Sequence, residues 1–188
     1  MFLSLFNSLK TAVSPPSFVL LQDPLVYRNR LPAFARFKAF APEIRNSVVP
    51  KVAYYVFHGF LQTYPIVPLF FDSPDWMALD MHTPSGLFDS NHHILRIYNG
   101  YSTNGSSSNI RTVAPEQMFP ELEFPSLIAG DSNIHNPLSD PLRDFSPNEI
   151  AISAPDFERG ADMGFSLLNT PGVYTRFPFV AGDRPCSS

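Results

Sequence analysis

Residues 127–133, Leu127-Ile128-Ala129-Gly130-Asp131-Ser132-Asn133, run from a short apolar strand directly into a turn. Asp131 and Asn133 lie two positions apart, and in extended backbone such positions point to the same side. The spacing therefore puts a carboxylate and an amide on one face at the exit of a buried strand. Ligand sites in sheet proteins gather at strand ends. A carboxylate there suits a divalent cation or the activation of water, and an amide suits orienting that water or a phosphate oxygen. A Gly-Asp turn with a nearby Asn also has a purely structural account. On these residues alone the turn is the simpler one.

Other strand exits carry polar groups of the same kind. Ser17–Gln22 (SFVLLQ) reads as a fully buried strand that ends at Asp23, a metal ligand or a loop acid. His93–Tyr101 (HILRIYNGY) reads as a strand ending on Tyr101, with Asn104 three residues on. These are donors to a phosphate, or an ordinary strand-end tyrosine and a loop asparagine. Val173–Phe177 (VYTRF) holds Thr175 and Arg176, a hydroxyl and a bidentate phosphate donor, or an edge pair facing solvent. Each admits the structural account singly. Their order along the chain is more specific.

The surrounding sequence fixes the class of molecule. A chain of 188 residues, 44% hydrophobic and 16% charged, has the size of one domain and the apolar content for a core. Its 18 Phe and net charge of −4 exclude disorder over most of the length. The 20 Pro, about twice ordinary usage, exclude a helical bundle and favour short strands with Pro-punctuated loops. A net negative charge also excludes a protein that coats polyanions by a broad positive field. The charge is uneven: residues 28–51 carry +5 and residues 116–162 carry −8. A solvated surface accounts for either run.

Cys186 is the single cysteine, so no disulfide framework or cysteine zinc site forms within the chain. The opening MFLSLFNSLK has no basic n-region, and Phe2, Leu5, Phe6, Leu9 and Val13 fall at helical spacing, so the reading is an amphipathic helix and not a secretion signal. No apolar stretch reaches the roughly 18 residues of a membrane span. Further strands are expected at Val52–Phe57 (VAYYVF), 66–71 as an edge because of Pro68, Trp76–His82, and Phe165–Leu168. A loop is expected from Asp23 to Pro50, and short helices over 110–120 and from the Ser146-Pro147-Asn148-Glu149 capping signal. With no repeat and no linker, residues 1–188 read as one mixed α/β domain.

The ordered segments LLQDP, RIYNGYSTNG, PSLIAGDSNIHNPLSDP and LLNTPGVYTRFP resemble the endonuclease/exonuclease/phosphatase family, in particular the endonuclease domain of fungal non-LTR retrotransposons. The resemblance runs from residue 4 to about residue 185. It implies a DNase I-like α/β fold, a two-sheet β-sandwich flanked by helices, hydrolysing DNA phosphodiesters with Mg²⁺ or Mn²⁺. Asp131 would then activate the attacking water beside Asn133, and Tyr101 and Asn104 would contact the scissile phosphate. Thr175 and Arg176 would face DNA, and Asp23 would stand where the family has a metal-binding Glu. The implied partners are DNA, through phosphate contacts, and a reverse transcriptase domain in the parent element. A membrane is not implied, and the location is nucleus or cytoplasm.

The sequence also departs from the family. It begins at the helix after the family's first strand and stops before its Ser-x-Ile-Asp and Ser-Asp-His segments. His58, His82, His92, His93 and His135 all precede Thr175, so none takes the place of the late His. Asp23 replaces Glu, Ser132 replaces Phe, and Asn136 replaces a second His. The expectation is a truncated copy, lacking the first and last strands, with little or no hydrolysis. The alternatives are an inactive remnant that binds DNA weakly through residues 28–51, and a phosphatase relative on the same fold.

Overall fold

The computed structural model describes residues 13–14, 16–27, 30–43, 49–84, 93–101, 124–131, 144, 146–148, 158, 161–162, 174–176 and 186–187, the last two segments and Asp131 through their backbone only. The chain divides into two compact units, Met1–Tyr101 with Glu121–Gly130, and Ser102–Pro120 with Asp131–Ser188.

The first unit is built around a strand that is apolar on both faces. Val52–Phe57 (β3) has five successive buried residues, as a continuous apolar, β-branched and aromatic run requires. It is central in an antiparallel sheet of order β1-β3-β2, with β1 at Phe18–Gln22 and β2 at Phe37–Phe40. The register sets Gln22 opposite Val52 and Phe37 opposite Phe57. Val52, Tyr54 and Val56 point to one core, while Tyr55 points to the other face and packs with Phe34 and Phe37. Strand β1 is only half-buried throughout, not fully buried as its apolar run suggests, because it is an edge of this sheet. Strand β2 lies inside the expected loop: it follows two isolated bridges, and its four residues, Phe-Lys-Ala-Phe, are too few and too little patterned to stand out.

The second sheet has the order β4-β5-β6-β7, with Ile66–Phe70 (β4), Trp76–His82 (β5), Ile94–Tyr101 (β6) and Ser126–Asp131 (β7). Strand β4 is an edge, the position that Pro68 predicts. The register between β5 and β6 is pinned by Asp80 opposite Arg96, whose guanidinium donates to both carboxylate oxygens at 2.6 and 2.8 Å. A short helix that the sequence reading missed, α1 at His58–Thr63, links β3 to β4. Met77, Leu79 and Ile97 close onto Val52, Tyr54 and Val56 to make the sandwich core.

In the second unit, Pro147 and Asn148 are helical, as the capping signal predicts, and Tyr174–Arg176 (β8) pairs antiparallel with Cys186–Ser187 (β9). Val13, the last position assigned to the expected first helix, is a bend and fully exposed; residues 2–12 of that helix, the expected helix over 110–120 and the strand at 165–168 lie outside the described residues.

Two buried polar side chains tie the sheets together. Tyr54 of β3 puts its hydroxyl 3.0 Å from the Met77 carbonyl and 2.7 Å from the Ile97 carbonyl in the opposite sheet. Asn99 of β6 reaches the other way, donating to Leu21 O at 3.1 Å and Ala53 O at 3.0 Å, while its oxygen accepts from Gln22 Nε2 at 2.7 Å. Burial holds the Tyr54 phenol far above its ordinary pKa, so it remains a donor. Tyr54→Phe should keep the fold and lower unfolding free energy by about 1–2 kcal/mol. Urea denaturation of the two proteins checks it; an unchanged midpoint would remove the hydroxyl from the sheet-to-sheet link.

Candidate functional site

The ends of β1 and β6 and the beginnings of β3 and β5 meet at one corner of the sandwich, because both pairs are antiparallel. Backbone hydrogen bonds hold the corner: Asp23 N–H donates to Lys51 O at 2.7 Å, Lys51 N–H to Pro74 O at 2.8 Å, and Tyr101 N–H to Asp75 O at 2.9 Å. Lys51 is thus bonded to the β1 exit through its carbonyl and to the β5 entry through its amide.

Side chains complete it. The Lys51 ammonium stands 2.6 Å from Asp23 Oδ1 and 5.8 Å from the centroid of the Tyr101 ring. The hydrogen bond to Asp23 raises the Lys51 pKa above its ordinary value, burial opposes this, and the charges of Asp23, Tyr101 and Asp75 add to the rise. Asp75 is 8% exposed, and burial raises its carboxyl pKa while Lys51 pulls it down. Asp23 has φ 47°, the left-handed region. Asp tolerates that region better than most residues, yet it still costs about 1–2 kcal/mol. Strain of this kind concentrates where a side chain must be aimed.

Gly130 explains the Gly of Gly-Asp. Its φ is 152°, and a β-carbon there would collide with the carbonyl oxygen of Gly100 on β6. A β-carbon on Gly100 would in turn strike the indole of Trp76. Gly130 therefore lets β7 close on β6, and Gly100 leaves room for the Trp76 indole of β5.

Of the sequence-predicted residues, Asp23 and Tyr101 are brought to the same corner. Asp131 is the last residue of β7, and Thr175 and Arg176 lie in β8; the side chains of these three lie outside the described part of the structure. Asn104 and Asn133 lie outside the described residues. Sequence reasoning missed Lys51, Asp75, Gln22 and Asn99. Asn99 left a signal, a lone amide within an apolar strand. Lys51 left none, because its role depends on which strand lies beside β1.

A divalent metal at Asp23 does not fit the described residues. Among them no three His, Cys, Asp or Glu side chains converge on a point, and the Asp23 carboxylate is already paired with an ammonium. Among them, too, no helix is long and apolar enough to cross a membrane.

No protein-family model matches the sequence, and a comparison with curated proteins finds no match. Among solved structures the chain is similar to the endonuclease domain of TRAS1, a telomere-specific non-LTR retrotransposon, with a TM-score of 0.57 and 14% identity. The likeness covers 100% of this chain and 74% of that one. It shows the DNase I-like two-sheet fold that the motif order predicts.

Gly130→Ala should destabilise by about 2 kcal/mol or more, since β6 backbone and not a flexible side chain must give way; thermal melts check this, and an unchanged Tm would refute the close approach. Asp75 supplies a pH test. Its pKa is raised in the fold, so its favourable contribution is present at low pH and lost as pH rises through the shifted value. Relative to Asp75→Asn, the wild type should lose stability as pH rises above the ordinary carboxylate range. Denaturant titrations over that rise read it, and a parallel pair of curves would contradict it.

Proposed function

We propose that this chain is an endonuclease-type domain that engages DNA through its phosphates, with hydrolysis slow at best. The observation that carries the reading is the corner itself, where strand exits bearing Asp23 and Tyr101 are held together on a fold shared with a retrotransposon endonuclease domain. Tyr101 contributes a phenol donor to a phosphate oxygen, and Asp131 the carboxylate that orients an attacking water. In-line attack on a phosphodiester needs both an oriented nucleophile and donors to the non-bridging oxygens. Asn133, Asn104, Thr175 and Arg176 are proposed as further water and phosphate contacts. In a longer protein the partner would be a reverse transcriptase domain.

The basic segment supplies the electrostatic part of DNA binding. Lys38 on the edge strand β2 is exposed, with its ammonium 5.0 Å from the Phe40 ring, and the Arg36 guanidinium lies 5.1 Å from the Phe57 ring. Aromatic support presents these cations with fewer conformers to lose. The ion pair between Lys51 and Asp23 favours the second form of the reading, a domain that binds DNA without cutting it. It neutralises the carboxylate that the retrotransposon resemblance assigns to the metal.

The test uses supercoiled plasmid in Mg²⁺ buffer and a short labelled duplex at low salt. We expect duplex binding that weakens steeply with salt, a slope near −2 for about two phosphates neutralised, and further weakening in Lys38→Ala. Nicking should be slow or absent. Fast nicking lost in Asp131→Ala would establish the enzyme and overturn the slow-or-absent part. Absence of both binding and nicking would overturn the reading as a whole.

A further inference from the structure

We propose that Lys51 is a resident cation at the exit of β1: its ammonium holds the Asp23 carboxylate in the place where a divalent metal would need it, so the corner takes up no metal through Asp23 while the lysine is present. The inference rests on the nuclease reading only for the role that it denies to Asp23.

Three elements aim negative or electron-rich groups at this one ammonium. Asp23 follows β1 and touches it at 2.6 Å; Asp75 precedes β5 and attracts it; the Tyr101 ring closes β6 at 5.8 Å. The lysine is not free to swing away at its base. Its own N–H is bonded to Pro74 O and its carbonyl to Asp23 N–H, so the backbone at position 51 is fixed between the two sheets. The Asp23 backbone is fixed likewise, by the bond from its own amide to Lys51 O and by its left-handed conformation.

A divalent cation needs several oxygen ligands and strongly resists sharing them with another positive charge. To bind at Asp23 it would have to displace the ammonium and leave Lys51 among carboxylates and a metal. The Lys51 side chain is 35% exposed and that of Asp23 64%, so water surrounds the pair and a metal would compete with the ammonium for the oxygen.

Mn²⁺ titration without DNA, followed by the free-ion paramagnetic resonance signal, tests this. Wild type and Asp23→Asn should bind Mn²⁺ alike, since Asp23 contributes nothing while paired. Asn also tolerates the left-handed backbone. Lys51→Met should bind at least about tenfold more tightly than wild type, the scale of removing one unit charge at contact distance. Adding Asp23→Asn to it should abolish that gain, and Lys51→Arg should match wild type. A wild-type affinity that falls in Asp23→Asn would overturn the proposal, whether or not Lys51→Met folds. So would a folded Lys51→Met that binds no more tightly than wild type. Loss of DNA binding with this Mn²⁺ pattern intact would sink the nuclease reading and leave the resident cation standing.

Discussion

The sandwich depends on a reciprocal exchange of buried hydrogen bonds between its sheets. Tyr54 reaches from the three-stranded sheet to carbonyls of β5 and β6, and Asn99 reaches back to carbonyls of β1 and β3. Apolar packing alone tolerates sliding of one sheet over the other by a residue pair. Fully buried polar groups do not, because each shift strands a donor or acceptor at a cost of about 1–3 kcal/mol. Asn99 lies two residues before Tyr101, and its oxygen takes the Gln22 amide one residue before Asp23. The bond that fixes sheet register is therefore the one that brings the strand exits bearing Asp23 and Tyr101 together.

From that register the chemistry of the corner follows by short steps. With Gln22 opposite Val52, Lys51 falls beside Asp23; with Trp76 opposite Gly100, Asp75 falls beside Tyr101. A shift of either pairing by one residue would turn every one of these side chains to the other face. Gly130 acts on the same geometry by letting β7 approach the backbone of β6, and Gly100 by leaving room for the Trp76 indole of β5.

Much of the fold was legible because long apolar runs such as VAYYVF and WMALDMH admit few other conformations, and Pro68 marked an edge strand. Strand β2 and helix α1 were not. Four residues with an alternating lysine, and six residues containing Gly59 with no side-chain cap, owe their structure to the neighbours they pack on. At the site, Asp23 and Tyr101 were legible as strand exits. Lys51 was counted only as one charge in a basic segment, since a sequence shows which residues end strands but not which ends meet. Gly130 was read as the start of a turn, but it lies within β7, and the reason for a glycine there lies on another strand.

That difference between ends and meetings decides how the corner should be understood. Motif order describes a set of residue types that hydrolyse phosphodiesters when the carboxylates are available to a cation. The three-dimensional arrangement adds a lysine from a strand that the motif does not include, at contact distance from the carboxylate. A side-chain ammonium is tethered, so its effective concentration at that oxygen far exceeds that of any dissolved ion. On the proposal made above, a motif match alone overstates metal affinity, because the lysine competes with a cation for that oxygen.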